Sequence, residues 1–425
     1  MSKVTVYSAR TVFPITGPAI KDGAVAVLQD RILHVGDRAW VLQQLQDRGL
    51  RFTEERWEGA LTPGLVNAHT HLQYTCMAEV AEKQYSGFKQ WGDAFDLVYH
   101  REQHDWQAAA QTGTQLSLRA GVTAAADVVT DREALTALHD AGMHGVTFWE
   151  IYGKTNSDWG AAQLADVRAQ VHAIPTPPAA GVSPHAPYSL GVEPLLDLPD
   201  IAREAGLRLH IHLAEDADEG GLLGGVSDWA STGSDSFTDL RQRGIGVSST
   251  KFVDQLGVLG PDCHIAHGVY VDADDRALLR ARGTAVALCP RSNSVIGLDE
   301  PPVAAYLSEG NHIAVGTDSL SSSPSLDPLA DVALLYDIAR RQGYAAPDLH
   351  ERLFTALTLG GATALGQQVG EKRIGQLVAG ASADLAFFET ASADPKEVLA
   401  ELVEAGAGLN RRTIIDGREK FCAPL

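Results

Sequence analysis

Positive charge is what this sequence lacks most. Its 34 lysines and arginines stand against 54 aspartates and glutamates, for a formal net charge of −20. So negative a surface argues against a nucleic-acid or anionic-membrane partner. Cysteine is scarce as well: Cys76, Cys263, Cys289 and Cys422 are all there is, none in a C-x-x-C pair. Four in such a length make no disulfide framework. No apolar run reaches the roughly 18 residues that mark a membrane helix. The opening MSKVTVYSARTVFPITG lacks the apolar stretch of a secretion signal. The expectation is a protein of the reducing cytoplasm that acts on a small molecule, with self-association left open.

What is present is enough for a large core. The chain has 425 residues, 45% of them hydrophobic and 21% charged, which exceeds the usual single domain and suggests one large unit with a smaller one. Alternation and turn residues make the first 60 positions β-rich, in KVTVYSARTVF and GAVAVLQDRILHVGD. The far end matches in style, with GQLVAGASADLAFFE and RRTIIDGREKF. The spacing predicts a small β-sandwich domain built from both chain ends, residues 1–60 plus 370–425. Between them, strand-like runs at 61–68, 121–129, 143–152, 179–185, 207–214, 262–268, 283–289 and 311–317 alternate with helical patterns such as DPLADVALLYDIARRQ. Eight β/α units over 61–369 predict an α/β fold, a (β/α)8 TIM barrel carrying the catalytic site. Residues 220–255, rich in Gly, Ser and Thr, read as an irregular excursion with a helix that covers the site.

The stretch TPGLVNAHTHLQYT, residues 62–75, ends an apolar run in His69 and His71. Residues i and i+2 of a strand share a side, so both imidazoles face one space, as a metal ion requires. Alone the motif is weak. The other strand ends repeat the theme, however, and in such a barrel strand C-termini carry the catalytic groups. SPHAPYS offers His185; LHIHLAED offers His210, His212 and Glu215; HIAHGVY offers His264 and His267; CPRSNS offers Arg291, Ser292 and Asn293; VGTDSLSS offers Asp318. Each also has a structural reading. His185 is also compatible with packing or a loop, Glu215 with a solvated loop, Asp318 with a helix N-cap, Asn293 and Ser292 with turn bonding, and Arg291 with a surface charge. Within HIH, either His210 or His212 is the ligand; His267 is preferred to His264. Cys263 and Cys289 read as core. Trp91 and Phe88 are either core aromatics or pocket walls.

As an ordered set, NAHTH, SPHAPYS, HLAED, AHGV, CPRSN and GTDS resemble the amidohydrolase superfamily, over nearly the whole chain. Within it the chain is similar to metal-dependent deaminases and chlorohydrolases of nitrogen heterocycles. The resemblance implies one divalent metal, zinc in preference to iron, held by His69, His71, His212 and Asp318. It implies Glu215 as proton shuttle, His267 with Asp318 as the groups that orient and deprotonate the attacking water, and His185 as a substrate contact, with Arg291, Asn293 and Trp91 as further contacts. Two-metal relatives bridge their ions with Lys or Glu on strand four; residues 175–190 contain neither, which favours one ion. CPRSN and TDSLSS look closest to aminodeoxyfutalosine deaminases, so the expected substrate is a 6-aminopurine nucleoside with a 5′ extension, of the aminodeoxyfutalosine, methylthioadenosine or S-adenosylhomocysteine type. The alternatives are another heterocycle hydrolase (guanine or cytosine deaminase, chlorotriazine or cyclic-amide hydrolase) or a catalytically dead, metal-free scaffold. Gln73, where many relatives have glutamate, and AHGV, where many have AHCV, leave the ligands untouched and put only the substrate in doubt.

Overall fold

The structure, a computed structural model, describes residues 3–101, 103–220 and 246–424. The predicted excursion at 220–255 lies largely outside the described residues; its end is the helix Ser249–Gln255.

The chain begins with β1 (Val4–Val12), β2 (Ile20–Leu28), β3 (Arg31–Asp37) and β4 (Phe52–Pro63). These join β13 (Leu385–Phe388), β14 (Asn410–Ile415) and β15 (Arg418–Cys422) in one continuous seven-stranded sheet, in the order β15-β14-β13-β4-β1-β2-β3. The two chain ends meet where β13 runs antiparallel to β4, with Leu385 opposite Pro63 and Phe388 opposite Ala60. Side chains alternate across this sheet as the pleat requires. Tyr7, Ala9, Val25 and Val27 enter a core with Leu61, Leu385 and Phe387. Val4, Val6, Ala24 and Ala26 face the other way, onto Val41 and Leu45 of the helix Arg38–Asp47. The result is a sandwich-like unit, buried on both faces.

The second sheet is the barrel: β5 (Leu65–Thr70), β6 (Val122–Val129), β7 (His144–Ile151), β8 (Ala179–Pro184), β9 (Arg208–Leu213), β10 (Cys263–His267), β11 (Ala285–Leu288) and β12 (Ile313–Val315). The eight strands lie in chain order, and all seven neighbouring pairs are parallel. Helices intervene, including Trp106–Arg119, Val192–Glu204, Ala273–Arg282 and Pro328–Arg341. This is a TIM barrel. The run predicted as its first strand, 61–68, is divided: residues up to Pro63 belong to the seven-stranded sheet, and β5 starts at Leu65. Gly64 makes the transfer, because a Cβ there would lie 2.1 Å from Thr123 Oγ1.

The last strand closes on the first through polar groups beside the site. Thr317 N and Asp318 N donate to His69 O at 3.1 and 3.0 Å. Asn67 completes the seam, its Nδ2 donating to Thr317 Oγ1 at 2.8 Å and its Oδ1 accepting from Thr317 N at 3.1 Å. Among the described residues no helix is long and apolar enough to cross a membrane.

Candidate active site

Five residues from four strand ends, His69, His71, His212, His267 and Asp318, converge on one point. The ligand atoms of His69, His71 and His212 lie within 4.8 Å of one another, as do those of His69, His267 and Asp318. All five residues are buried. His69 Nε2 and His71 Nε2 stand 3.7 and 3.8 Å from Asp318 Oδ1. His210 lies one level deeper, its ring stacked on His69 with centroids 4.8 Å apart, and His264 points elsewhere, its Nε2 donating to Ala68 O at 2.9 Å.

The tautomer of His212 can be deduced. Its Nδ1 lies 2.9 Å from His185 O. A carbonyl oxygen only accepts, so Nδ1 carries the proton and Nε2 carries a lone pair. That lone pair faces His71 Nε2 at 3.2 Å. Burial holds the His69, His71 and His212 imidazoles below their ordinary pKa, with neighbouring histidines adding to it for His69 and His212. Neutral rings are the form that binds metal. His69 Nε2 and His267 Nε2 are buried without a hydrogen-bond partner. Ligand bonds of about 2.0–2.1 Å in a tetrahedral set put neighbouring donor atoms about 3.3 Å apart, close to the His71–His212 separation. The donor set therefore fits a divalent metal.

Asp318 is aimed by its loop. Ser292 Oγ and Ser322 Oγ donate to its Oδ2 at 2.7 and 2.9 Å, and Ser319 N donates to Oδ1 at 2.7 Å. Its φ is +58°, that of His267 is +74° and that of Ala214 is +52°. Left-handed backbone at three non-glycine positions around one site is the kind of strain that packed functional sites hold in place. Gly316 lets this loop close, since a Cβ there would sit 2.8 Å from His69 Cβ.

Glu215 follows Ala214, and its Oε1 is 3.4 Å from His267 Nε2. Burial raises the Glu215 carboxyl well above the ordinary range, and Asp318, Glu219 and Asp216 push the same way. Burial lowers His267, against the pull of Asp318. On its far edge His267 Nδ1 meets Asn293 Oδ1 at 3.3 Å.

Of the other expected substrate contacts, His185 stands at the mouth, its ring 4.8 Å from that of His212 and edge-on to the exposed Tyr152. Burial drives its imidazole down to about 3, helped by His71 and His267. Trp91 is half-buried against Phe88 and Phe95, and its Nε1 donates to Ser321 O at 2.9 Å. Asn293 faces His267, as above. The structure does not bring Arg291 to this cluster. Its guanidinium donates to the buried Asp331 Oδ2 at 2.7 Å and to Ser325 Oγ, Ser325 O and Asp327 O, fixing the helix Pro290–Ile296 to the helix Pro328–Arg341 and the loop before it.

Two residues, Glu219 and Glu150, escape a reading of the sequence, and a third, Gln73, is noted there without a role. Glu219 clamps the Glu215 turn, accepting from Ala214 N at 2.8 Å and Glu215 N at 2.9 Å. Its only signal is a carboxylate four positions after Glu215. Glu150, at the end of β7, is buried, with Oε1 unpartnered and 3.6 Å from His212 Nδ1; burial, then Asp318, raises it to about 8. Gln73 ties down the loop after β6, bonding Thr130 and Asp131 through both ends of its amide. A cavity of about 960 Å³ lined by Phe13, Ile313, Arg352 and Lys396 lies away from all these groups.

A family model described as the amidohydrolase family matches residues 60–420. Among curated proteins, a 5-methylthioadenosine/S-adenosylhomocysteine deaminase of Moorella thermoacetica is 30% identical, covering 98% of this chain and 93% of its own. One from Nitratidesulfovibrio vulgaris is also 30% identical, over 98% of this chain and 89% of its own. Two solved structures share the fold. An adenosine deaminase from Xanthomonas campestris with bound zinc aligns with a TM-score of 0.80 at 24% identity, covering 98% of this chain and 93% of that one. The aminofutalosine deaminase of Helicobacter pylori, in complex with methylthio-coformycin, aligns with a TM-score of 0.82 at 19% identity, over 98% and 99%.

Proposed function

The chain belongs to the amidohydrolase family, and from that premise we propose that it is a metal-dependent hydrolytic deaminase of a 6-aminopurine nucleoside with a 5′ extension. The observation that carries the proposal is the placement of Glu215 and His267, 3.4 Å apart, beside a buried donor set of His69, His71, His212 and Asp318. Replacement of a ring amine by water needs that combination: a polarised water, a base for its proton and an acid for the ring nitrogen.

His69, His71, His212 and Asp318 would hold the metal, which we assign as zinc. When bound, such an ion supplies Lewis acidity and lowers the pKa of water to about 7. Asp318, steadied by Ser292, Ser319 and Ser322, takes the proton of the attacking water. His267, neutral through burial, aims that water at C6. Glu215, kept protonated by burial, donates to the adjacent ring nitrogen as C6 becomes tetrahedral. The proton held on Asp318 then passes to the amine, the C6–N bond breaks and ammonia leaves, while the C6 hydroxyl returns its proton to Glu215, leaving a C6 carbonyl and a protonated Glu215 for the next turnover. His185 contacts the purine at the mouth. Trp91 walls the approach. Asn293 acts through His267 and Arg291 through the packing of its helix, so neither is assigned to the substrate. Residues 61–369 form the catalytic unit in this reading, and a cytoplasmic home is part of the same proposal, supported by four cysteines without a C-x-x-C pair.

The substrate class draws support from the deaminase relatives at 30% identity. The test compares adenosine, 5′-methylthioadenosine, S-adenosylhomocysteine, aminodeoxyfutalosine and guanine by loss of aminopurine absorbance. A 5′-extended nucleoside is expected to give the highest kcat/KM; guanine as the best substrate would overturn the assignment.

A further inference from the structure

A second cluster lies at the opposite end of the barrel, where the barrel meets the seven-stranded sheet. His144 opens β7, Asp384 directly precedes β13, and Asp416 sits in the turn between β14 and β15. Three distant parts of the chain thus bring an imidazole and two carboxylates to one point, with ligand atoms within 4.8 Å of one another.

The geometry at that point suits a cation better than a hydrogen bond. His144 Nε2 is 3.4 Å from Asp384 Oδ2 and 3.3 Å from Asp416 Oδ1. None of these three atoms completes a hydrogen bond, although all are buried. The Asp384 side chain is only 2% exposed, so its unpartnered Oδ2 costs free energy unless something else satisfies it. Its other oxygen already accepts from Asp416 N at 2.9 Å, which fixes the carboxylate plane. A proton on Nε2 reaches two oxygens only off its axis. An ion between them, with bonds of about 2.0–2.1 Å in a tetrahedral set, puts its donor atoms about 3.3 Å apart. Both observed separations are near that value. The field is strongly negative: although burial pulls the His144 imidazole down, the two carboxylates outweigh it and raise it to about 10. Lys372 and Arg31 act on Asp416 from the outside and temper that field. Side-chain exposure of 14% at His144 and 34% at Asp416 leaves an entry path and room for water as a fourth ligand.

We propose that His144, Asp384 and Asp416 form a second, structural site for a zinc-class divalent cation, pinning the start of β7 to the sheet built from the chain ends. It is independent of the deaminase reading and remote from its chemistry. Binding displaces the His144 proton, so this ion is held more loosely than one bound by neutral rings.

The test uses the full protein with its tightly held metal in place, desalted and then dialysed against excess zinc at mildly alkaline pH. Elemental analysis is expected to show one further equivalent, and the melting temperature to rise by a few degrees. His144→Ala and Asp416→Asn should each lose that equivalent and the added stability while releasing ammonia as the wild type does. Asparagine tolerates the left-handed turn at 416, so this variant remains informative if His144→Ala fails to fold. A His69→Ala/His71→Ala protein should retain the seam zinc, which separates failure here from failure of the catalytic assignment. No further equivalent in the wild type, or one that survives Asp416→Asn, overturns the proposal.

Discussion

His212 donates its Nδ1 proton to the main-chain oxygen of His185, 2.9 Å away. The bond ties the end of β9 to the end of β8 and leaves the Nε2 lone pair of His212 pointing at His71. Because the acceptor is a backbone atom, this bond does not use the His185 side chain, whose Nδ1 lies 2.8 Å from Ser189 Oγ and whose Nε2 remains for a substrate.

Substituting the two histidines should therefore have unlike effects. His185→Ala keeps the carbonyl, so bound metal should stay at one equivalent while KM rises. His212→Ala removes a ligand and should lose the metal along with activity. Elemental analysis beside steady-state kinetics reads both, and metal loss in His185→Ala would contradict the tautomer argument.

Glu215→Gln preserves size and removes the transferable proton. Turnover should fall by about 10²-fold or more with metal content unchanged. Glu219→Ala strips an acceptor from two buried amides, Ala214 N and Glu215 N, at about 1–3 kcal/mol for each group left unpaired. It should lower both the melting temperature and kcat. Near-normal turnover in Glu215→Gln would remove the ring-protonation step.

Arg291 pairs with a fully buried carboxylate, Asp331. Arg291→Ala leaves that charge uncompensated, a change that costs about 3–5 kcal/mol at buried pairs. Chemical denaturation should show the loss, and KM for 5′-extended nucleosides should hold near the wild-type value in the protein that remains folded. A raised KM at unchanged stability would put Arg291 back on the substrate.

His144 supplies a pH signature in buffer without added zinc. Its folded pKa of about 10 stands above the ordinary 6.5, so protonation favours the folded state. The contribution is complete below pH 6.5 and disappears as pH climbs through about 10. The melting-temperature gap between wild type and His144→Ala should shrink across that window; a gap that widens would reverse the sign.

The barrel was legible because its strands are covered on both faces and read as near-continuous apolar runs; β11, apolar and buried at every position from Ala285 to Leu288, is the plainest case. The site was legible because those runs end in His, Glu and Asp. Other features depend on contacts far apart in the chain. Nothing local to 61–68 marks the change of sheet at Gly64, which answers to Thr123. Arg291 reads as a free cation until Asp331, forty positions on, is folded against it. The helix Phe88–Tyr99 starts at Gly87 with no capping side chain, so only a glycine, which is as common in turns, marks its boundary. Glu150 is one acid among 54 acidic residues until the barrel buries it beside His212.

Metal-dependent deamination is tested most directly by ammonia release from 5′-methylthioadenosine, measured on protein stripped of metal by a chelator and reconstituted with zinc in steps. Stripped protein is expected to release no ammonia, and activity should climb in proportion to zinc and level off at the first equivalent bound. Ammonia release undiminished in the stripped protein, or full metal loading with no release from any 6-aminopurine nucleoside, would contradict the account.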